Sequence, residues 1–351
     1  MKPAQAGSAR RSEAEQRHSG GGESTRTVVV ALLANAAIAV MKAIAGVLTG
    51  SAAMLAEAAH SVADTTTEGL LLAALRHSER PADQRHPFGY GKVRFFWSLI
   101  AAVSIFVTGA LFSWFEGVRT ILGSGEDQTL AWVAFLVLGL SFLMEGTSWV
   151  RAVRQIRREQ VNEGQRLLEY LRVTDDPTVK TVFLEDTAAL VGLLLAFAGV
   201  GLHLLTGSAV WDGLASLLIG VLLAAVAYLL GRTNMRLLIG QQADPRLVRA
   251  VYARLSAAPE VKQVVDLLTM LIGTDKVLLC TRVDFAASLS ADEVERACVR
   301  LDDELRREFT DLEEIFIEPV PRTDPALRER VVNRYGAVLH DLRPYSAPPA
   351  S

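Results

Sequence analysis

Six long apolar segments, separated by short polar links, constrain this 351-residue chain more than any other feature. Each segment supplies the roughly 20 residues that a bilayer-crossing helix needs. Surface helices of soluble proteins usually carry a polar face instead. The pattern therefore predicts an α-helical polytopic membrane protein with six transmembrane helices, at about residues 27–48, 52–75, 95–122, 130–153, 179–205 and 210–230.

The links between the apolar segments differ in charge. Those at residues 76–94 and 154–180 are rich in Arg and Lys, whereas those at 49–51, 123–129 and 206–209 contain neither. Cytoplasmic loops carry the excess of Lys and Arg. The asymmetry predicts that both termini are cytoplasmic, and the Ala-, Arg-, Leu- and Val-rich composition favours a bacterial plasma membrane.

From about residue 241 the pattern becomes that of a small α+β domain. Helical stretches, the second opened by a capping box at Ser290 and Glu293, alternate with β-branched runs. The expected order is helix, strand, strand, helix, strand, at about residues 245–258, 262–272, 276–285, 291–309 and 314–320.

The sequence thus divides into four predicted parts. Residues 1–25 are polar and rich in Gly and Ser, which favours a disordered cytoplasmic tail over a cleaved signal peptide. A six-helix membrane domain at 26–240 and a cytoplasmic domain at 241–322 follow, and a tail occupies residues 323–351.

Charge and cysteine content exclude several classes of protein. A formal net charge of -3 argues against a nucleic-acid partner. Two cysteines without a CxxC motif exclude a disulfide scaffold and a thiolate zinc finger. The expected non-protein partner is membrane lipid, including headgroups near the basic loop after the second segment.

The second apolar segment contains His60 and Asp64. An ionisable residue near the bilayer centre costs about 2.5–3.5 kcal/mol on insertion scales, so each needs a reason to be there. At a spacing of four the two side chains share one helical face, and imidazole and carboxylate are both ligands of transition metals. The alternatives are a hydrogen bond between the two residues or a polar helix–helix contact.

Five further ionisable positions interrupt the apolar segments. We expect at most one of the adjacent carboxylates Glu185 and Asp186 to face a given site, although both could instead lie near the cytoplasmic end, paired with Arg or Lys. Lys42 could form a structural pair with Glu145 or extend to a membrane face. Asp212 is expected to cap its own helix.

These residues together resemble the cation diffusion facilitator family. Residues 50–64, 80–83 with 86–92, and 211–216 are similar to its second-span signature, the loop that follows and the opening of its sixth span. Residues 185–189 resemble the divergent branch that includes the mitochondrial zinc transporter of animals. The resemblance to the family implies six spans, a cytoplasmic ferredoxin-like domain and a homodimer that exports divalent cations, usually Zn²⁺, in exchange for protons.

The resemblance also implies a metal site between the second and fifth spans. His60 and Asp64 would supply two ligands and Asp186 a third, while the family's second histidine in the fifth span falls at Val182. Glu185 or water would then complete the shell.

A weaker second site is implied in the loop after the second span. Its ligands would be Asp83 and His86, and Tyr90 stands where some members have another histidine.

Alternative functions follow from the positions at which this sequence differs from the family pattern. One histidine with two carboxylates is a harder ligand set and favours Mn²⁺ or Fe²⁺ over Zn²⁺, with Co²⁺ and Cd²⁺ as further candidates. The valine at position 182 would also suit a non-transporting scaffold or partner subunit. A membrane hydrolase using His60 and Asp64 has little support, because no nucleophile or HExxH motif accompanies them. We therefore expect a transporter and not an enzyme.

Overall fold

The structure, a computed structural model, describes residues 32–123, 130–163 and 177–321, together with 325, 326 and 329. The predicted tail at 1–25 lies outside these residues, as does nearly all of that at 323–351. Long helices make up the first part of the described chain. They are α1 (Leu32–Thr49), α2 (Ala52–Ser78), α3 (Val93–Leu122), α4 (Ala131–Glu163), α5 (Pro177–Thr206) and α6 (Val210–Ile239).

Five of these described helices are long and apolar enough to cross a membrane: α1, α3, α4, α5 and α6. Helix α2, with 27 residues, is also long enough. Its composition differs because it carries Glu57, Asp64 and Glu68. The prediction of a multi-pass helical membrane protein is confirmed. Helix α2 differs from the other five in that acidic residues lower its hydropathy.

The start of α2 is held by a residue from another helix. Asp212, in the first turn of α6, accepts hydrogen bonds from the Ser51 hydroxyl at 2.7 Å and from the Ala52 backbone N–H at 2.6 Å. The expectation that Asp212 caps its own helix is therefore wrong. Its carboxylate satisfies N–H groups that the first turn of α2 leaves unpaired.

The chain divides into two compact units, and each has its own apolar core. In the described residues the first comprises 32–76, 96–123, 130–163 and 177–234, and the second comprises 77–95 and 235–321. The core of the first is rich in alanine, which lets helices approach closely where lipid gives no hydrophobic drive for association.

The second unit contains the αββαβ order that the sequence predicts. Its elements are α7 (Pro245–Ser256), β1 (Val261–Gly273), β2 (Lys276–Phe285), α8 (Ala291–Glu308) and β3 (Leu312–Pro319). The sheet has the order β1-β2-β3, with β1 and β2 antiparallel and β2 and β3 parallel. Helix α7 packs on β1 and α8 on β3, and together they enclose one core.

Local sequence explains where both helices of this unit begin. Asp244 precedes Pro245 and accepts the backbone N–H of Arg246, so α7 starts with a capped first turn. At α8 the Glu293 carboxylate accepts from both the backbone N–H and the hydroxyl of Ser290, at 2.7 and 2.8 Å. The predicted capping box is confirmed, and these hydrogen bonds lower the pKa of Glu293.

Candidate metal-binding site

One face of α2 carries a line of ionisable side chains. Glu57, His60, Asp64 and Glu68 follow one another at spacings of three, four and four, so they lie along the same side of the helix. His60 is 1% exposed, and its Nε2 lies 3.4 Å from Oδ2 of Asp64. Within the described part of the chain, neither ring nitrogen of His60 has a hydrogen-bond partner. The proximity of the two side chains agrees with their spacing, but the geometry is not that of a hydrogen bond.

A cavity of about 380 Å³ lies among α1, α2, α4 and α5. Its described lining contains carboxylates from three helices, namely Asp64, Glu68, Glu145, Glu185 and Asp186. The expectation that at most one of Glu185 and Asp186 faces a given site is wrong, since both line this cavity. Successive residues of an α-helix lie about 100° apart around its axis, and the wall of a wide cavity spans enough of the helix surface to include both side chains.

The cavity carboxylates differ in how well they are satisfied. Asp186 accepts a hydrogen bond from Ser148 Oγ of α4 at 3.1 Å, and Glu68 accepts one from the amide of Asn35 in α1. Glu185 is 8% exposed, and its Oε1 has no hydrogen-bond partner among the described residues. The same holds for Oδ1 of Asp64. Buried oxygens without donors are costly, so this cavity favours a cationic guest.

These side chains do not form a closed coordination shell. In the ranges that the structure describes, no group of three or more His, Cys, Asp or Glu side chains is placed to hold a metal ion. Zinc ligands lie about 2.0–2.2 Å from the metal when they are nitrogen or oxygen. Asp64, Glu185 and Asp186 share a cavity with His60 beside it, and a coordinated ion requires them to move closer together.

A buried ion-pair triad adjoins the cavity. Lys42 of α1 is 0% exposed, and its Nζ lies 3.1 Å from Oε2 of Glu57 and 2.8 Å from Oε1 of Glu145. The predicted pairing of Lys42 with Glu145 is confirmed, and the alternative of an extended lysine at a membrane face is wrong. Glu57 completes the triad, so the buried ammonium group lies between two carboxyl groups.

The sequence interpretation missed Glu57, Glu68 and Ser148. The signal for the two glutamates was present, because both lie in an apolar segment and extend the spacing of His60 and Asp64 along one face. No comparable signal marks Ser148. Its role depends on the packing of α4 against α5, which places it beside Asp186.

The loop before α3 places Asp83 and His86 together, with Nδ1 of His86 3.4 Å from Oδ1 of Asp83. Asp83 Oδ1 also accepts the backbone N–H groups of Arg85 and His86, and Oδ2 accepts the Tyr90 hydroxyl at 2.7 Å. The hydrogen bond from Tyr90 is the main reason why the pKa of Asp83 is lowered. Both oxygens of the predicted second-site carboxylate are therefore engaged within the loop.

The same loop is fixed closely to β1. A Cβ atom at Gly91 would overlap the carbonyl oxygen of Ile272, and it would lie 2.7 Å from Cα of Gly273. Lys92 Nζ lies 3.6 Å from Sδ of Met270 in the same strand. Only glycine permits this approach of two backbones, which explains the glycine at position 91 of the loop.

A multi-pass helical domain with carboxylates and a histidine gathered around an internal cavity defines a cation-handling membrane protein. The chain belongs to the cation diffusion facilitator family, since residues 28–239 match the cation efflux transmembrane domain. The family membership predicted from the sequence motifs is therefore confirmed.

Relatives within the family carry names that indicate different metals. The proton-coupled zinc antiporter SLC30A9, mitochondrial, of Xenopus laevis is 36% identical over 260 residues, which is 74% of this chain and 46% of that protein. Metal tolerance protein C4 of Arabidopsis thaliana is 34% identical over 75% of this chain and 57% of its own length. The chain therefore spans about half the length of these two relatives. The manganese efflux system protein MneP of Bacillus subtilis is 25% identical over 85% of this chain and 96% of its own length.

Proposed function

We propose that this chain exports a divalent cation, preferentially Zn²⁺, in exchange for protons. His60, Asp64 and Asp186 bind the cation, and Glu185 replaces the histidine absent at position 182. The observation that carries the proposal is the cavity to which α2 contributes Asp64 and α5 contributes Glu185 and Asp186. Its place within a cation efflux domain supports transport over a purely structural role.

The coupling follows from the chemistry of these ligands. Carboxylates and imidazole bind either a proton or a metal ion with the same lone pairs, so metal binding releases protons. A cation that enters from the cytoplasm displaces protons, and protons from the opposite side displace the cation once the helices expose the site there. The proton gradient is then the only energy source that the exchange requires.

A second candidate cargo is Mn²⁺ or Fe²⁺. Five carboxyl groups line the described part of the cavity, whereas His60 supplies a single imidazole beside it. Oxygen-rich sites favour harder cations such as Mn²⁺. The Bacillus subtilis relative is named as a manganese efflux protein, which supports this alternative.

The proposal includes an orientation and an assembly. The concentration of Lys and Arg in the links at 76–94 and 154–180 supports cytoplasmic termini. We place the chain in a plasma membrane as a homodimer, with residues 241–322 as its cytoplasmic domain. We propose Asp83 and His86 as a second cation site. This site is weak because hydrogen bonds within the loop already satisfy the carboxylate of Asp83.

Metal-resolved uptake into proteoliposomes under an imposed pH gradient tests this proposal. We expect Zn²⁺ uptake to exceed uptake of Mn²⁺, Fe²⁺ and Co²⁺, and Asp64→Ala and Asp186→Ala to reduce it to the protein-free background. Glu116→Gln is the matched control, because Glu116 is a buried carboxylate of α3 paired with Arg119 and distant in sequence from the ligands. Wild-type uptake by Asp64→Ala would refute the assigned site, and absence of any metal uptake would favour the scaffold alternative.

A further inference from the structure

A buried lysine shares a carboxylate with the cation cavity. Lys42 Nζ contacts Oε1 of Glu145 at 2.8 Å, and Glu145 lines the cavity together with Asp64. The second oxygen of Glu145, Oε2, is buried and has no hydrogen-bond partner among the described residues. One carboxylate thus binds an ammonium group with one oxygen and leaves the other unengaged.

A second observation concerns a buried carboxylate of the same cavity. Glu185 is more than nine-tenths buried and lines the cavity, yet its Oε1 has no described donor. Lys42 is not a complete counter-charge, because Glu57 also binds it. A triad of one lysine and two glutamates carries a net charge of about -1 when all three groups are ionised. The described lining of the cavity contains five carboxyl groups and one guanidinium, that of Arg151. A cation in the cavity would offset the excess of carboxylates.

We propose that Glu145 is a further ligand of the transported cation and that Lys42 competes with the cation for it. This inference rests on the proposed function. Glu145 would bring a carboxylate from α4 to a site otherwise built from α2 and α5. It would add to the ligands that those two helices supply.

Glu57 makes the exchange of partners feasible. An unpaired charge in a low-dielectric region is strongly destabilising, so Lys42 cannot simply lose its partner. Glu57 lies 3.1 Å from Lys42 Nζ and is fully buried with it. When Glu145 turns to the cation, Lys42 keeps this second carboxylate. Lys42 therefore acts as a tethered cation that occupies Glu145 until a divalent ion replaces it.

Two double variants separate this role from simple structural pairing. Lys42→Met with Glu57→Gln keeps Glu145, whereas Lys42→Met with Glu145→Gln keeps Glu57, and each removes one positive and one negative charge. Zn²⁺ binding to the full chain in lipid nanodiscs is measured by isothermal titration calorimetry. We expect the first variant to bind Zn²⁺ as tightly as the wild type or more tightly, and the second to bind at least tenfold more weakly. Equal affinities of the two double variants would overturn the proposal.

A single substitution keeps the test valid if a double variant fails to fold. Glu145→Gln should weaken Zn²⁺ binding at least tenfold, whereas Glu116→Gln should change it less than twofold, with folding checked by circular dichroism and gel filtration. Wild-type affinity in Glu145→Gln would refute the role of Glu145. Asp64→Ala in the same assay distinguishes a failure of this inference from a failure of the proposed function. If it abolishes binding while the Glu145 variants do not, only this inference fails, and if it binds normally the proposed function fails as well.

Discussion

Gly192 of α5 lies directly against the carboxylate of Glu57 in α2. A Cβ atom at position 192 would overlap Glu57 Oε1, whose carboxylate is fixed by its ion pair with Lys42. The absence of a side chain at this position therefore leaves room for the carboxylate of Glu57 between the two helices.

Gly192→Ala should consequently destabilise the membrane unit. Overpacking of a tight interior typically costs about 1–3 kcal/mol, and the displaced Glu57 would also strain its pairing with Lys42. Gly139→Ala is the matched control, since a Cβ there meets nothing within 4 Å. Unfolding in a detergent titration checks the difference, and equal stability of the two variants would show that α2 and α5 do not need this close contact.

Asp212 should contribute to stability through the start of α2. Loss of an N-cap acceptor costs about 0.5–2 kcal/mol, and Asp212→Ala also leaves the Ser51 hydroxyl and the Ala52 N–H without their acceptor. Asp212→Asn keeps one carbonyl oxygen and should lose less. The measurement is the free energy of unfolding of both variants, and a smaller effect for alanine than for asparagine would contradict this account.

The loop hydrogen bond between Tyr90 and Asp83 predicts a defined pH dependence. The pKa of Asp83 is lower in the folded protein than in the unfolded chain. Asp83 therefore stabilises the fold above its unfolded pKa of about 3.9, and this stabilisation is lost as the pH falls through the folded pKa. The pKa of Tyr90 is raised by the same hydrogen bond. Tyr90 therefore stabilises the fold below its unfolded pKa of about 10, and this stabilisation is lost as the pH rises through the folded pKa.

Tyr90→Phe should therefore raise the pKa of Asp83 toward its ordinary value. The aromatic ring that packs near His86 is retained, so the loop keeps its shape. Carboxyl ¹³C shifts followed against pH give the pKa, with Tyr252→Phe as a control that leaves the loop intact. An unchanged pKa for Asp83 in Tyr90→Phe would show that the hydrogen bond does not control its titration.

Much of the architecture follows from local sequence patterns. The second strand of the hairpin, Lys276–Phe285, coincides with the predicted residues, because alternation and the flanking turn both define it. The helix that begins after Ser290 is likewise specified by its own capping box. Such elements are encoded within one stretch of the chain.

Contacts between distant segments leave no mark in local sequence patterns. The partners of Asp212 lie 160 and 161 residues earlier in the chain, so no local pattern could reveal that it caps α2. The paired exposure of Glu185 and Asp186 to one cavity depends on how α5 packs against its neighbours. Sequence spacing fixes which face of α2 carries His60 and Asp64, but tertiary packing decides what that face meets.

The most direct test of the central claim measures protons and metal in the same vesicles. Proteoliposomes that contain a pH-sensitive dye are exposed to a Zn²⁺ gradient without an imposed pH gradient. If one set of side chains binds either cargo, Zn²⁺ entry should drive protons out of the vesicles, and Asp64→Ala should abolish both fluxes together. Zinc movement without proton counterflow, or proton counterflow that persists in Asp64→Ala, would contradict this account.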